Sequence, residues 1–202
     1  MIKNIVFDMG NVLVGYDADR VCRRFMENEE AIERVKTAVF VSPEWVMLDM
    51  GVIEEDYALE RMVSRLDSQE EREAAEKCFA HWHEYNMWPI QEMGELVKEL
   101  KEKGYRIYLC SNASVRLLEC YKTTIPAIDV FDGILFSAPE KCMKPQKEIY
   151  ERLFERFSLK PEECFFIDDL KINIDGAAAC GMRGYCFDGD VEKLKKMIEE
   201  LN

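Results

Sequence analysis

Apolar positions along this chain fall into two rhythms. Short apolar runs, rich in β-branched and aromatic residues, occur at Ile5-Val6-Phe7, at Tyr105-Arg106-Ile107-Tyr108-Leu109-Cys110, at 133–136, at Cys164-Phe165-Phe166-Ile167 and near 184. Runs of this length bounded by turn residues read as buried strands. Helical stretches lie between the later runs and at the C-terminus, and the one from about Gln91 to Lys103 ends at Gly104. Strands alternating with helices predict an α/β fold with a parallel, doubly wound sheet.

That alternation stops after Leu13 and resumes at Pro89. From Asp17 to about Asn86 no good strand is visible. Val21, Cys22, Phe25 and Met26 form one helical stripe; Leu59, Met62, Val63 and Leu66 form another; Ala75, Cys78, Phe79, Trp82 and Tyr85 form a third. Ser42-Pro43-Glu44 has the signature of a helix start, and Gly51 that of its end. The pattern predicts an all-helical insertion over 16–87, set into an α/β core built from 1–15 and 88–202. An insertion that leaves the core just after the first strand is placed to cover the end of that strand.

Composition narrows the picture. At 202 residues and 48% hydrophobic, the chain builds one core plus a small insertion. No apolar run reaches the roughly 18 residues of a membrane span. Met1-Ile2-Lys3-Asn4 runs straight into the first strand and leaves no room for a signal peptide. None of the eight cysteines forms a Cys-x-x-Cys pair, so they read as reduced core thiols of a cytoplasmic protein. The net charge of −13 repels nucleic acid and anionic lipid. A protein this acidic binds an anion only through a local cation cluster or a metal.

The candidate chemistry lies at the strand ends. Asp8 follows the first strand and precedes Met9, Gly10 and Asn11; Ser111 and Asn112 follow the second. Lys144 follows the third, and Asp168-Asp169 follow the fourth, with Asn173 a turn further on. Each has an ordinary use alone: a turn aspartate, a helix cap, a solvated lysine. In open α/β sheets, however, ligands bind outside the carboxyl ends of the strands.

Phe7-Asp8-Met9-Gly10-Asn11-Val12, Ser111-Asn112, Lys144-Pro145 and Asp168-Asp169 with Asn173 resemble, in order, the four motifs of the haloacid dehalogenase-like hydrolase superfamily. The resemblance is to the branch with a helical cap inserted after the first strand. The Gly-Asn after the aspartate resembles bacterial sugar-phosphate phosphatases acting on glucose 1-phosphate. It implies a Rossmann-like core and a Mg²⁺-dependent phosphatase of small phosphorylated metabolites, acting as monomer or homodimer.

By the same resemblance Asp8 is the nucleophile. Met9, Gly10, Ser111, Asn112 and Lys144 bind phosphate. Asp8, the Gly10 carbonyl and Asp169 hold the metal, Asp169 being twelve positions before Gly181. Asp168 orients Lys144 or a metal-bound water, and Asn173 supports the site from behind. Two alternatives stay open. One is a metal-free dehalogenase, which has no need of two adjacent carboxylates near Asp8. The other is a phosphate-binding protein without catalysis.

The chain departs from the family where a second aspartate normally stands two residues after the nucleophile; here that position is Gly10. A glycine keeps the carbonyl and loses the general acid, typically worth about 10²–10⁴-fold. Asp17 and Asp19 are the nearest candidate substitutes, with Asp17 also suited to capping a helix near Ala18. His81 and His83 lack the i, i+4 spacing of a metal pair and read as surface residues. Trp45 and Met47 read as core, with a substrate-facing role as the alternative.

Overall fold

The computed structural model describes residues 1–201. In chain order its elements are β1 (Asn4–Phe7), β2 (Val14–Tyr16), α1 (Asp19–Phe25), α2 (Glu29–Phe40), α3 (Pro43–Met50), α4 (Glu55–Val63), α5 (Gln69–Tyr85) and β3 (Met87–Pro89). There follow α6 (Gln91–Glu102), β4 (Arg106–Ser111), α7 (Leu117–Thr124), β5 (Gly133–Phe136), α8 (Ser137–Glu140) and α9 (Lys147–Phe157). The chain ends with β6 (Cys164–Asp168), α10 (Lys171–Ala179), β7 (Arg183–Cys186) and α11 (Val191–Glu199).

Five strands form one parallel sheet in the order β5-β4-β1-β6-β7. The predicted runs are buried on both faces because alternate side chains of each strand enter opposite cores. Ile5, Phe7, Ile107, Leu109 and Ile167 pack with Leu96, Val97, Leu194 and Ile198 of α6 and α11. Val6, Tyr108, Cys110 and Phe166 pack with Ile149, Tyr150, Leu153 and Ile174 of α9 and α10. This is the doubly wound arrangement, with β1 central between β4 and β6.

Helices α1 to α5 follow one another between β2 and β3, as the stripes predict. Ser42 caps α3, its Oγ accepting from Trp45 N at 3.1 Å, with Pro43 in the first helical turn. Gly51 ends α3 in the left-handed region at φ 72°, and a Cβ there would meet the Ala138 carbonyl. Only glycine suits both demands. Ser137 Oγ donates to Asp49 O and Lys141 Nζ to Gly51 O, so the end of α3 is fastened to the α8 region.

One feature differs from the sequence expectation. The chain leaves and re-enters the core through an antiparallel ribbon, pairing Val14 with Pro89, Gly15 with Trp88 and Tyr16 with Met87. Trp88 lies across Gly15, where any Cβ would collide with the indole. Among the described residues, no helix is long and apolar enough to cross a membrane. All eight cysteines are free, and five of them are buried.

Candidate active site

Parallel register brings the strand ends together. Phe7 pairs with Leu109 on one side and Ile167 on the other. Asp8 is therefore level with Cys110 and Asp168, at the few-ångström spacing of neighbouring strands. Asp8 N donates to Ile167 O at 2.8 Å and ties the start of the next loop to β6. That loop is tight: Met9 O accepts from Leu13 N and Val14 N, both at 2.9 Å. Asn11 takes the left-handed conformation at φ 53°, which asparagine tolerates better than most residues. Gly10 has no positive φ, and a Cβ there would meet nothing within 4 Å. Neither backbone strain nor crowding requires glycine at this position.

Lys144 organises the carboxylates. It is 2% exposed, with Nζ 2.7 Å from Asp8 Oδ1 and 2.6 Å from Asp168 Oδ2. The Asp168 contact is a hydrogen bond, whereas Asp8 Oδ1 sits at ion-pair distance without hydrogen-bond geometry. Burial opposes the lysine charge, but Asp8 and Asp168 outweigh it and keep the ammonium protonated well above the usual lysine range. Burial likewise pushes Asp8 up to about 6, against the pull of Lys144 and with the push of Asp168.

Asp168 is saturated. Its Oδ1 accepts from Leu170 N at 2.9 Å and Asn173 Nδ2 at 3.0 Å, and its Oδ2 accepts from Lys144. Asp168 therefore holds Lys144, and Asn173 holds Asp168. Asn112 differs from its expected part as a phosphate binder. Its Oδ1 accepts from Lys144 N at 2.8 Å and its Nδ2 donates to Lys144 O at 3.0 Å. Both ends of the amide thus hold the lysine main chain, and Asn112 keeps its place on the cavity wall.

Asp8, Asp168 and Asp169 each present a carboxylate oxygen within 4.8 Å of the others. With Asp168 committed to Lys144, Asp8 and Asp169 are the pair open to a cation. Asp169 is half-buried, and its Oδ2 accepts from Asn11 Nδ2 at 3.1 Å. Burial raises its carboxyl above the usual range. Two carboxylates this close, with one lysine already shared, want a further positive charge.

A cavity of about 380 Å³ opens over these groups. Asp8, Gly10, Ser111, Lys144 and Asp169 line it from the strand ends and the loops after them, and Trp45, Asp49 and Trp82 from helices α3 and α5 of the insertion. Tyr16, Met87 and Leu117 complete the walls. Trp45 thus reaches the cavity, stacked edge-on against Trp82 at 5.1 Å between ring centroids. Met47 is exposed and does not line it.

Asp17 does not reach the cavity either. It is exposed, and its Oδ1 accepts from Asp19 N at 2.9 Å, a local turn at the start of α1. The structure separates it from the site it was a candidate to serve. His81 and His83 are half-buried and lie off the cavity, His81 paired with Glu84 at 2.8 Å. The residue missed by sequence reasoning is Asp49. Its signal was available: it stands four positions after Trp45 on one helix, so the two share a face.

A sesquiterpene phosphatase of Aspergillus oryzae is 27% identical over 187 residues, covering 90% of this chain and 88% of its own. A D-ribitol-5-phosphate phosphatase of Bacteroides thetaiotaomicron is 23% identical, covering 86% of each chain. A Bacteroides thetaiotaomicron enzyme solved in complex with magnesium and inorganic phosphate superposes with a TM-score of 0.74 at 24% identity, covering 96% of this chain and 99% of its own. The L-2-haloacid dehalogenase of Xanthobacter autotrophicus shares the fold at a TM-score of 0.63 and 19% identity, covering 91% of this chain and 76% of its own. The haloacid dehalogenase-like hydrolase family matches residues 2–181, a span holding Asp8, Ser111, Lys144, Asp168 and Asp169, and the chain belongs to that family.

Proposed function

We propose that this chain is a Mg²⁺-dependent phosphatase of small phosphorylated metabolites, working through an aspartyl-phosphate on Asp8. The observation that carries this reading is the division of labour among three clustered aspartates. Lys144 is shared by Asp8 and Asp168, while Asp8 and Asp169 stay within reach of one cation. A metal-free dehalogenase would leave that second pair with no counter-charge beyond the lysine that Asp8 already shares with Asp168.

The donor set suits Mg²⁺, which prefers hard oxygen ligands: carboxylates from Asp8 and Asp169 and the carbonyl of Gly10. When bound, the ion would neutralise charge on the phosphoryl oxygens. The remaining work falls to the chain. Asp8 attacks phosphorus as nucleophile, splitting the hydrolysis into two displacements. Lys144 and the Ser111 hydroxyl bind phosphoryl oxygens, and backbone N–H groups after Asp8 complete a cradle. Asp168, Asn173 and Asn112 hold Lys144 in place. Residues 16–87 act as the cap over this core, and the indoles of Trp45 and Trp82 receive the body of the substrate, whether sugar ring or apolar chain. The phosphatase names among the relatives support this assignment.

The test is hydrolysis of a generic aryl phosphate. Turnover should vanish with a chelator and return with Mg²⁺. Asp169→Ala should lose activity and, with it, the response to Mg²⁺. Full turnover in excess chelator would overturn the metal assignment, and no turnover of the phosphate ester with Mg²⁺ would reopen the dehalogenase reading.

A further inference from the structure

We propose that Asp49, on the inserted helix α3, is the general acid and base that Gly10 cannot be. This rests on the phosphatase reading of the same cavity. Phosphoryl transfer places the attacking and leaving oxygens roughly in line. With Asp8 attacking from the sheet side, the leaving oxygen faces the opposite wall. Asp49 enters the same cavity from the inserted helix α3, as Trp45 does, with Trp82 of α5 beside them. Among the cavity's carboxyl-bearing residues it is set apart from the Asp8, Asp168 and Asp169 cluster.

Its position is also firm. Asp49 O accepts from Ser137 Oγ, and Lys141 Nζ donates to Gly51 O two residues on. These bonds fasten the end of α3 to the residues following β5. A general acid needs that precision, because it must lie within hydrogen-bond reach of the oxygen it protonates.

The environment suits proton exchange near neutrality. Burial pushes the Asp49 carboxyl up to about 7, a hydrogen bond from the Ser114 backbone draws it partly back, and the Asp8 charge adds to the rise. The other titratable groups facing this space are Tyr16, which the Asp49 charge helps to raise, with Lys144 and Asp169 on the far side.

The two half-reactions balance on Asp49. In the first, the Asp8 carboxylate forms a bond to phosphorus while the bond from phosphorus to the ester oxygen breaks. Asp49 gives its proton to that oxygen, and the alcohol leaves. In the second, the Asp49 carboxylate takes a proton from water as the water oxygen attacks phosphorus. The bond to Asp8 breaks, inorganic phosphate departs, and both aspartates return to their starting states.

The experiment compares the parent with Asp49→Asn on an alkyl phosphate and on a nitrophenyl phosphate, whose leaving group needs no proton. Asp49→Asn should lose about 10²-fold or more in kcat/KM on the alkyl ester and far less on the aryl ester. With the aryl ester it should release one equivalent of nitrophenol in a burst, then turn over slowly, because water attack lacks its base. Adding Gly10→Asp to the Asp49→Asn variant should return alkyl turnover, since the space beside Gly10 is open. Equal losses on both esters, or none, would overturn the role of Asp49. If Asp49→Asn does not fold, the parent decides: kcat/KM should fall above about pH 7 for the alkyl ester and hold for the aryl ester, and identical profiles would overturn it. A parent that hydrolyses neither ester with Mg²⁺ would instead refute the phosphatase reading itself.

Discussion

Asp8→Asn is expected to abolish turnover, by on the order of 10⁴-fold or more, while leaving the metal-free fold at least as stable as the parent. The two effects have one source. A nucleophile must be ionised and aimed at its target, which means burying a charge that would rather be in water. Asp8 is 7% exposed, and burial raises its carboxyl from 3.8 to about 6 even with Lys144 beside it. The sign follows directly. A carboxyl whose folded value is raised costs the fold nothing below the unfolded value, and its full cost is present above the folded one. Above about pH 6 in chelator, the neutral amide removes that cost, of the order of 1–3 kcal/mol. Urea denaturation at pH 8 and pH 4 checks it: the variant should match or exceed the parent at pH 8, and its advantage should shrink at pH 4. Near-normal turnover in Asp8→Asn would displace Asp8 as nucleophile, whatever the stability result.

Features carried by strand ends were legible before any coordinates. Parallel strands in register bring residues at the end of each run to one edge, so Asp8, Ser111 and Asp168-Asp169 had to meet once the runs were recognised, whereas Lys144 lies beyond α8 and reaches them through a loop. The resemblance, not the strand pattern, pointed to Asp168 beside Lys144 or a metal-bound water; in the structure Asp168 Oδ2 accepts from Lys144 Nζ at 2.6 Å. What stayed hidden depends on contacts that no periodicity encodes. The β2–β3 ribbon consists of two three-residue strands at opposite ends of the insertion, each too short to announce itself. Asn112 looked like a ligand-facing amide, but its partners are the main-chain atoms of Lys144, 32 residues away. Asp17 drew attention through its nearness in sequence to Asp8. Asp49 is much farther along the chain, and the end of α3 brings it to the cavity. Distance along the chain was the wrong guide because the insertion folds back over the strand ends.

Lys144→Gln should be the most destabilising single change in the site, costing about 3–5 kcal/mol at pH 8 along with activity. Lys144 is almost wholly buried and shared by two aspartates, with Asn112 spent on aligning its backbone. Taking away its charge leaves Asp8 and Asp168 buried side by side with no cation between them. Three hydrogen bonds from Leu170 N and Asn173 Nδ2 remain to Asp168, but they satisfy its oxygens without neutralising the pair. The loss should shrink as the pH falls. Lys144 pulls the Asp8 carboxyl down in the parent, so without it the raised value rises further and Asp8 takes up its proton earlier during acidification. Asp8→Asn in the Lys144→Gln background should recover stability, giving a double variant at least about 1 kcal/mol better than the sum of the single changes, as expected for groups in direct contact. Urea midpoints for the four proteins at pH 8 and pH 5 measure both quantities. A Lys144→Gln loss below about 1 kcal/mol, flat with pH and additive with Asp8→Asn, would mean that the lysine is not what lets two aspartates share this buried edge.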